Sequence, residues 1–88
     1  MKVEYRKRFL KELAQLPQNP RIEVEKFVFE VLPGAATLAS IGKIEQMKGY
    51  RHFFKVRFGN YRLGLQLVDE ILIVEIIAHR KDIYKFFP

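Results

Sequence analysis

The pattern of apolar positions changes period once along this chain, and that change organises everything else. From Lys7 to Leu16, residues Phe9, Leu10, Leu13 and Leu16 recur at helical spacing, which predicts a helix that Pro17 ends. In "QNPRIEVEKFVFEVLPG", Val24, Phe27, Val28 and Val31 stand at i, i+3, i+4 and i+7, predicting a second amphipathic helix. Asn19 is its expected N-cap, Pro20 its first residue, and Pro33–Gly34 its stop. So short a connection implies an antiparallel helical hairpin. Before it, the segment starting at Lys2 begins as a short strand. The stretch "AATLASIGKIEQMKG" has no period and reads as a loop with local turns.

From His52 onward the period drops to two. "HFFKVRF", "YRLGLQLV" and "ILIVEII" read as three strands, joined by two-residue turns at Gly59–Asn60 and Asp69–Glu70. "RKDIYKFF" then predicts a short terminal helix. The expected fold is α+β: a short N-terminal strand, a helical hairpin on one face of an antiparallel sheet, and a short C-terminal helix. The sheet's C-terminal part is a three-stranded meander. Residues 1–88 are expected to form one domain.

Tight turns fix register, so the partners across the meander can be counted out. Phe58 should face Tyr61, Arg57 should face Arg62, and Lys55 should face Gly64. Across the second turn Val68 faces Ile71, Leu65 faces Val74, Gly64 faces Glu75 and Leu63 faces Ile76. Parity then sorts two faces. Phe54, Val56, Phe58, Tyr61, Leu63, Leu65, Leu67, Leu72, Val74 and Ile76 form the core face. Lys55, Arg57, Arg62, Gly64, Gln66 and Glu75 form the other, with His79 continuing their parity. Gly64 leaves a depression beside the Lys55 stem.

Charge sharpens this reading. The 88 residues carry a net charge of +6, and Lys48, Arg51, Lys55, Arg57 and Arg62 follow one another with no acidic residue between. Such a balance favours anionic partners. A sheet face open to water often carries cations, but Arg57 opposite Arg62 is a like-charge pair, mildly destabilising by itself. Two guanidiniums can hold one phosphodiester, and the anion removes their repulsion. The absence of cysteine excludes disulfides and thiolate metal sites. No apolar run is long enough for a signal or a membrane span, so a cytoplasmic, soluble protein is expected, with no membrane partner.

The available residues narrow the chemistry. Carboxylates do not cluster, no histidine pair has ligand spacing, and Ser40 is the lone serine, so neither metal hydrolysis nor a Ser or Cys nucleophile is supported. No metal or other cofactor is expected. What remains is RNA cleavage in which the substrate's own 2′-hydroxyl attacks the neighbouring phosphorus. Arg57 and Arg62 suit charge stabilisation. The base is then Tyr84, Lys55 or His79, since an arginine does not deprotonate at neutral pH. On a helical "RKDIYKFF", Arg80 and Tyr84 lie one turn apart. Lys48, Arg51, His79 and Lys81 complete a set of expected RNA-binding residues.

These residues carry a resemblance. "FKVRFGNYRLGLQLVDEILIVEIIAHRKDIYKFFP" resembles the C-terminal half of the RelE/ParE toxin superfamily, on the RelE-like side. "FLKELAQLP" and "FVFEVLP" resemble its helical hairpin; "KVRFGNYRL" and "HRKDIY" are the most specific pieces. The resemblance implies a bacterial or archaeal toxin of a type II toxin–antitoxin system that cleaves mRNA in the ribosomal A site. It also implies silencing by a co-expressed antitoxin, as well as ribosome and mRNA as partners. The family's basic pair corresponds to Lys55 and Arg57, its "YR" arginine to Arg62, the arginine after the last strand to Arg80, and the terminal tyrosine to Tyr84. Two alternatives remain at this point: a ParE-like inhibitor of DNA gyrase, and a non-catalytic ribosome- or RNA-binding module.

Overall fold

The computed structural model describes residues 1–88. Its elements run β1 (Lys2–Tyr5), α1 (Lys7–Ala14), α2 (Gln18–Lys26), a π-helical turn (Phe27–Val31), α3 (Leu32–Gly34), β2 (Glu45–Gln46), β3 (Phe53–Phe58), β4 (Tyr61–Val68), β5 (Ile71–His79) and α4 (Ile83–Phe86). The five strands form one sheet in the order β1-β5-β4-β3-β2. The helical hairpin and the antiparallel meander are as expected. β1 adds a parallel partner to β5, with Tyr5 opposite Val74, and β2 extends the sheet beyond β3 with Glu45 opposite Lys55. No helix is long and apolar enough to cross a membrane.

The helices bury one face of the sheet. Phe9 and Leu13 of α1 join Val24, Phe27, Val28 and Leu32 over Val56, Leu63, Leu65, Leu72, Val74 and Ile77. Each large apolar side chain so removed from water contributes about 1.5–3 kcal/mol. The second helix starts at Gln18 with Pro17 as its cap residue, so Asn19 is not the N-cap and Pro20 lies inside the first turn. Farther along, the wider π turn shifts the helical phase. Leu32 is buried where simple spacing selected Val31, which is exposed.

The first hairpin has the register counted from sequence, Arg57 against Arg62 and Lys55 against Gly64 included. Gly59 has φ 58° and Asp69 φ 55°, each at the first central position of its two-residue turn. A left-handed residue there matches the twist of the flanking strands. The second hairpin departs from expectation. A bulge between Gly64 and Leu65 pairs Gly64 with Ile76, Leu63 with Ile77 and Tyr61 with His79, leaving Glu75 without a strand partner. An extra residue in one strand flips every later side chain.

That flip corrects three expectations. Ile77 rather than Ile76 enters the main core. Ile76 instead joins Met47, Ile83 and Phe87 in a second buried cluster on the opposite face. Glu75, the extra residue of the bulge, loses its place opposite Gly64 and pairs with Arg6 at 3.3 Å, while His79 takes the parity of Tyr61 and packs edge-on against its ring at 5.7 Å. Counting residues from a turn works only while the ladder stays regular.

Candidate active site

The face opposite the helices is half apolar and half cationic. Its apolar half exists because α4 folds back on it. A helix of four residues cannot stand alone in water, and Ile83 and Phe87 anchor this one. Phe87 lies in the depression at Gly64: a Cβ built there would come within 2.8 Å of the phenyl ring and 2.6 Å of Ile76 Cγ2. The hollow foreseen beside Lys55 is therefore filled by the chain's own phenylalanine. Phe53 meets Phe87 at 5.5 Å, extending the packing toward β3.

Docked this way, α4 delivers Tyr84 to Lys55. The Lys55 ammonium donates to the Tyr84 hydroxyl oxygen at 2.8 Å. The same nitrogen is 5.4 Å from the ring centroid, nearly the contact distance plus the ring's own centroid-to-oxygen length. It therefore sits beyond the oxygen along the C–O bond, in a hydrogen bond rather than over the π face. The tyrosine remains 59% exposed, so the pair is open to a ligand.

Next along β3, Arg57 points from the same face as Lys55, and Arg62 is its neighbour on β4. Their repulsion is relieved twice within the chain. Arg57 Nε pairs with Glu45 of β2 at 3.3 Å. Arg62 turns one guanidinium nitrogen to the carbonyls of Gly59 at 2.7 Å and Tyr61 at 2.9 Å. Both arginines thus have internal partners that a phosphate would replace or supplement. The Arg80 backbone donates to Asn60 O at 2.7 Å, placing this residue at the same end of the sheet as the β3–β4 turn. Because α4 begins at Ile83, Arg80 lies in the preceding turn, and the helical spacing expected between it and Tyr84 does not apply.

The remaining expected contacts divide. Lys48 lines a cavity of about 390 Å³ together with Lys55, Tyr84 and Phe87. Arg51 and Lys81 are exposed outside it. His79 accepts from the Lys81 backbone through Nδ1 at 3.2 Å, and its ring is turned to Tyr61. Tyr50, a wall of the same cavity, escaped notice in the sequence. The signal was present in "MKGY", a glycine turn ending in an aromatic residue. No group of three or more His, Asp or Glu side chains converges anywhere in the molecule.

The chain so described matches, over residues 3–84, the family model described as ParE toxin of type II toxin–antitoxin system, parDE. It is 34% identical over 89 residues to the toxin RelE3 of Methanocaldococcus jannaschii, an alignment covering 100% of both proteins. Among solved structures, it is similar to the RelB–RelE antitoxin–toxin complex from Methanococcus jannaschii. There the TM-score is 0.77 at 28% identity, covering 97% of this chain and 99% of that one. The isolated RelE toxin of E. coli shares the fold, with TM-score 0.66 at 24% identity over 89% of this chain and 82% of that chain. This chain belongs to the RelE/ParE family of type II toxin–antitoxin toxins and is RelE-like within it.

Proposed function

We propose that this protein is a ribosome-dependent mRNA endonuclease that cuts in the A site and thereby stops translation in the cytoplasm. The observation that carries the reading is the 2.8 Å contact between Lys55 and Tyr84, two proton-bearing groups 29 residues apart in sequence. It lies on the same face as the Arg57–Arg62 pair. In the reaction, the 2′-hydroxyl gives up its proton and its oxygen attacks the adjacent phosphorus. The bond from phosphorus to the 5′-oxygen breaks, the 5′-oxygen takes a proton, and a 2′,3′-cyclic phosphate remains. Lys55 and Tyr84 act as the proton-transfer pair. Arg57 and Arg62, with Arg80, balance the charge that builds on the phosphorane. A phosphate in place on Arg57 competes with Glu45 for the guanidinium, so substrate binding and release of that ion pair go together. The scheme draws its nucleophile from the RNA and needs no metal or cofactor.

The partner that silences it is a cognate antitoxin. The solved relatives described as RelB–RelE complexes support this, and the +6 net charge suits acidic segments on the partner. Such a chain acts by covering the basic face or by lifting the terminal segment that carries Tyr84.

The test separates binding from cutting. Tyr84→Phe and Arg80→Ala are expected to keep ribosome association while cleavage falls by a factor on the order of 10² or more. Transcript ends mapped after brief induction should lie at in-frame positions inside translated regions. A second reading, inhibition of DNA gyrase, is favoured by the ParE description of the matching family model. Continued translation alongside trapped gyrase–DNA complexes is the outcome that establishes it. Ribosome binding without cleavage by the unaltered chain establishes a non-catalytic module.

A further inference from the structure

Tyr50 is held in place by its own turn and by contacts from β2 and β3. The backbone from Met47 to Tyr50 forms a tight turn closed by Tyr50 N donating to Met47 O at 3.0 Å. Gly49 stands at its third position with φ 85°, the left-handed conformation such a turn requires there. Met47 N donates to Phe53 O at 2.8 Å, fastening the turn to β3. From β2, the Gln46 amide donates to Tyr50 O at 3.3 Å and Arg51 O at 3.4 Å. The ring meets Phe53 perpendicularly, 5.8 Å between centroids and 78° between planes. Whichever ring supplies the edge in that contact, at least one face of Tyr50 stays uncovered, and the residue is 48% exposed.

The uncovered ring does not look into bulk solvent alone. It shares the 390 Å³ cavity with Lys48, Lys55 and Tyr84, above a floor of Met47 and Phe87. That volume is in the range of small-molecule sites, about 300–1,000 Å³. The wall chemistry is specific: two ammonium groups and two phenol rings, with no Asp or Glu side chain, and Pro88 completing the lining. A fixed aromatic plane beside cations is the arrangement that takes a base on its face and a phosphate on its edge. A flexible or buried tyrosine would not serve. Ordering the ring in advance reduces the entropy lost when a base stacks on it.

We propose that Tyr50 is the stacking platform of a nucleotide subsite beside the reacting phosphate. The base of one unpaired nucleotide lies on its ring, and Lys48 holds the phosphate of that nucleotide. The inference rests on the ribonuclease reading and adds to it a position that selects for an unstacked base. Tyr50 positions substrate and takes no part in proton transfer.

The experiment uses the full chain and a 2′-O-methylated RNA trinucleotide, which has no free 2′-hydroxyl and cannot be cut. Its partner is the same oligonucleotide with one abasic residue. Base stacking on an aromatic side chain is worth about 1–3 kcal/mol, so one abasic position should weaken binding on the order of tenfold. Tyr50→Ala should erase that difference and Tyr50→Phe should keep it, with both variants still melting cooperatively because the side chain is half exposed and lies outside the buried clusters. Equal affinity of the unaltered chain for the two oligonucleotides, absence of binding to either, or a difference that survives in Tyr50→Ala overturns the subsite. The two readings fail separately. A Tyr50-dependent preference for the base in a chain that never cuts translated RNA leaves the subsite and removes the ribonuclease. Cleavage whose rate and positions are the same in Tyr50→Ala does the reverse.

Discussion

Pro33 has no N–H, and one tyrosine hydroxyl answers for it. In the π turn, Leu32 N donates to Phe27 O, five residues back. The next donor in that series is Pro33, which has none, so Val28 O is left over. Tyr5 of β1 donates its hydroxyl to that oxygen and thereby ties the strand to the helix. Burial pushes the Tyr5 phenol above its ordinary 10.0, because the phenolate is poorly hydrated there. The folded chain therefore holds this proton more tightly than the unfolded chain does. Its contribution to stability is complete below pH 10 and is lost as pH rises through the folded value. Alkaline melting curves should show stability falling above pH 10, and Tyr5→Phe should flatten that fall. At neutral pH the same variant should lose about 0.5–1.5 kcal/mol, the worth of one hydrogen bond. The Arg57–Arg62 pair was legible because a two-residue turn fixes it. Glu45 as a counter-charge was not, because β2 is two residues long and nothing local aims it at β3.

Among the elements, α4 decides whether there is a site at all. Its four residues are held by Ile83 and by Phe87 beside Gly64, so its docking depends on a missing side chain in a different strand. Gly64→Ala tests this. The added methyl falls under 3.0 Å from Ile76 and from the Phe87 ring, and overfilling of this kind costs roughly 1–3 kcal/mol. The expected result is lower stability together with faster exchange of the Phe87 amide, and loss of the Lys55–Tyr84 contact by NMR. A variant whose α4 amides are as protected as before would show that the helix is held by something else. The bulge at Gly64/Leu65 belongs to the same device. By turning Ile76 outward it supplies the apolar floor on which Ile83 and Phe87 rest.

For the whole molecule, the net charge of +6 favours any polyanion, and geometry decides how much of it is usable. Arg57 is the clearest case, since its pairing with Glu45 is exposed on both sides. Exposed pairs are worth about 0–1 kcal/mol, which a phosphate can match. Affinity for a single-stranded RNA should fall steeply with salt. Glu45→Gln should raise the affinity and steepen the plot of log affinity against log salt by about 0.7, one additional phosphate contact on a single strand. An unchanged slope would mean that Arg57 never reaches the backbone.

Taken alone, the chain's order of residues determined the helical pair, the three-stranded meander, the register of its first hairpin and the family it belongs to. These depend on periods, breakers and short turns, all of which act within a few residues. Tertiary structure decided what lies across long loops or depends on one irregularity in the ladder. The parallel seat of β1, the flip of Ile76 and His79, the displacement of Glu75 to Arg6, the filling of Gly64 by Phe87 and the meeting of Lys55 with Tyr84 are of that kind. The physical reason is that a bulge or a docked helix end is chosen by packing against distant side chains. Its energy is not written into any local stretch.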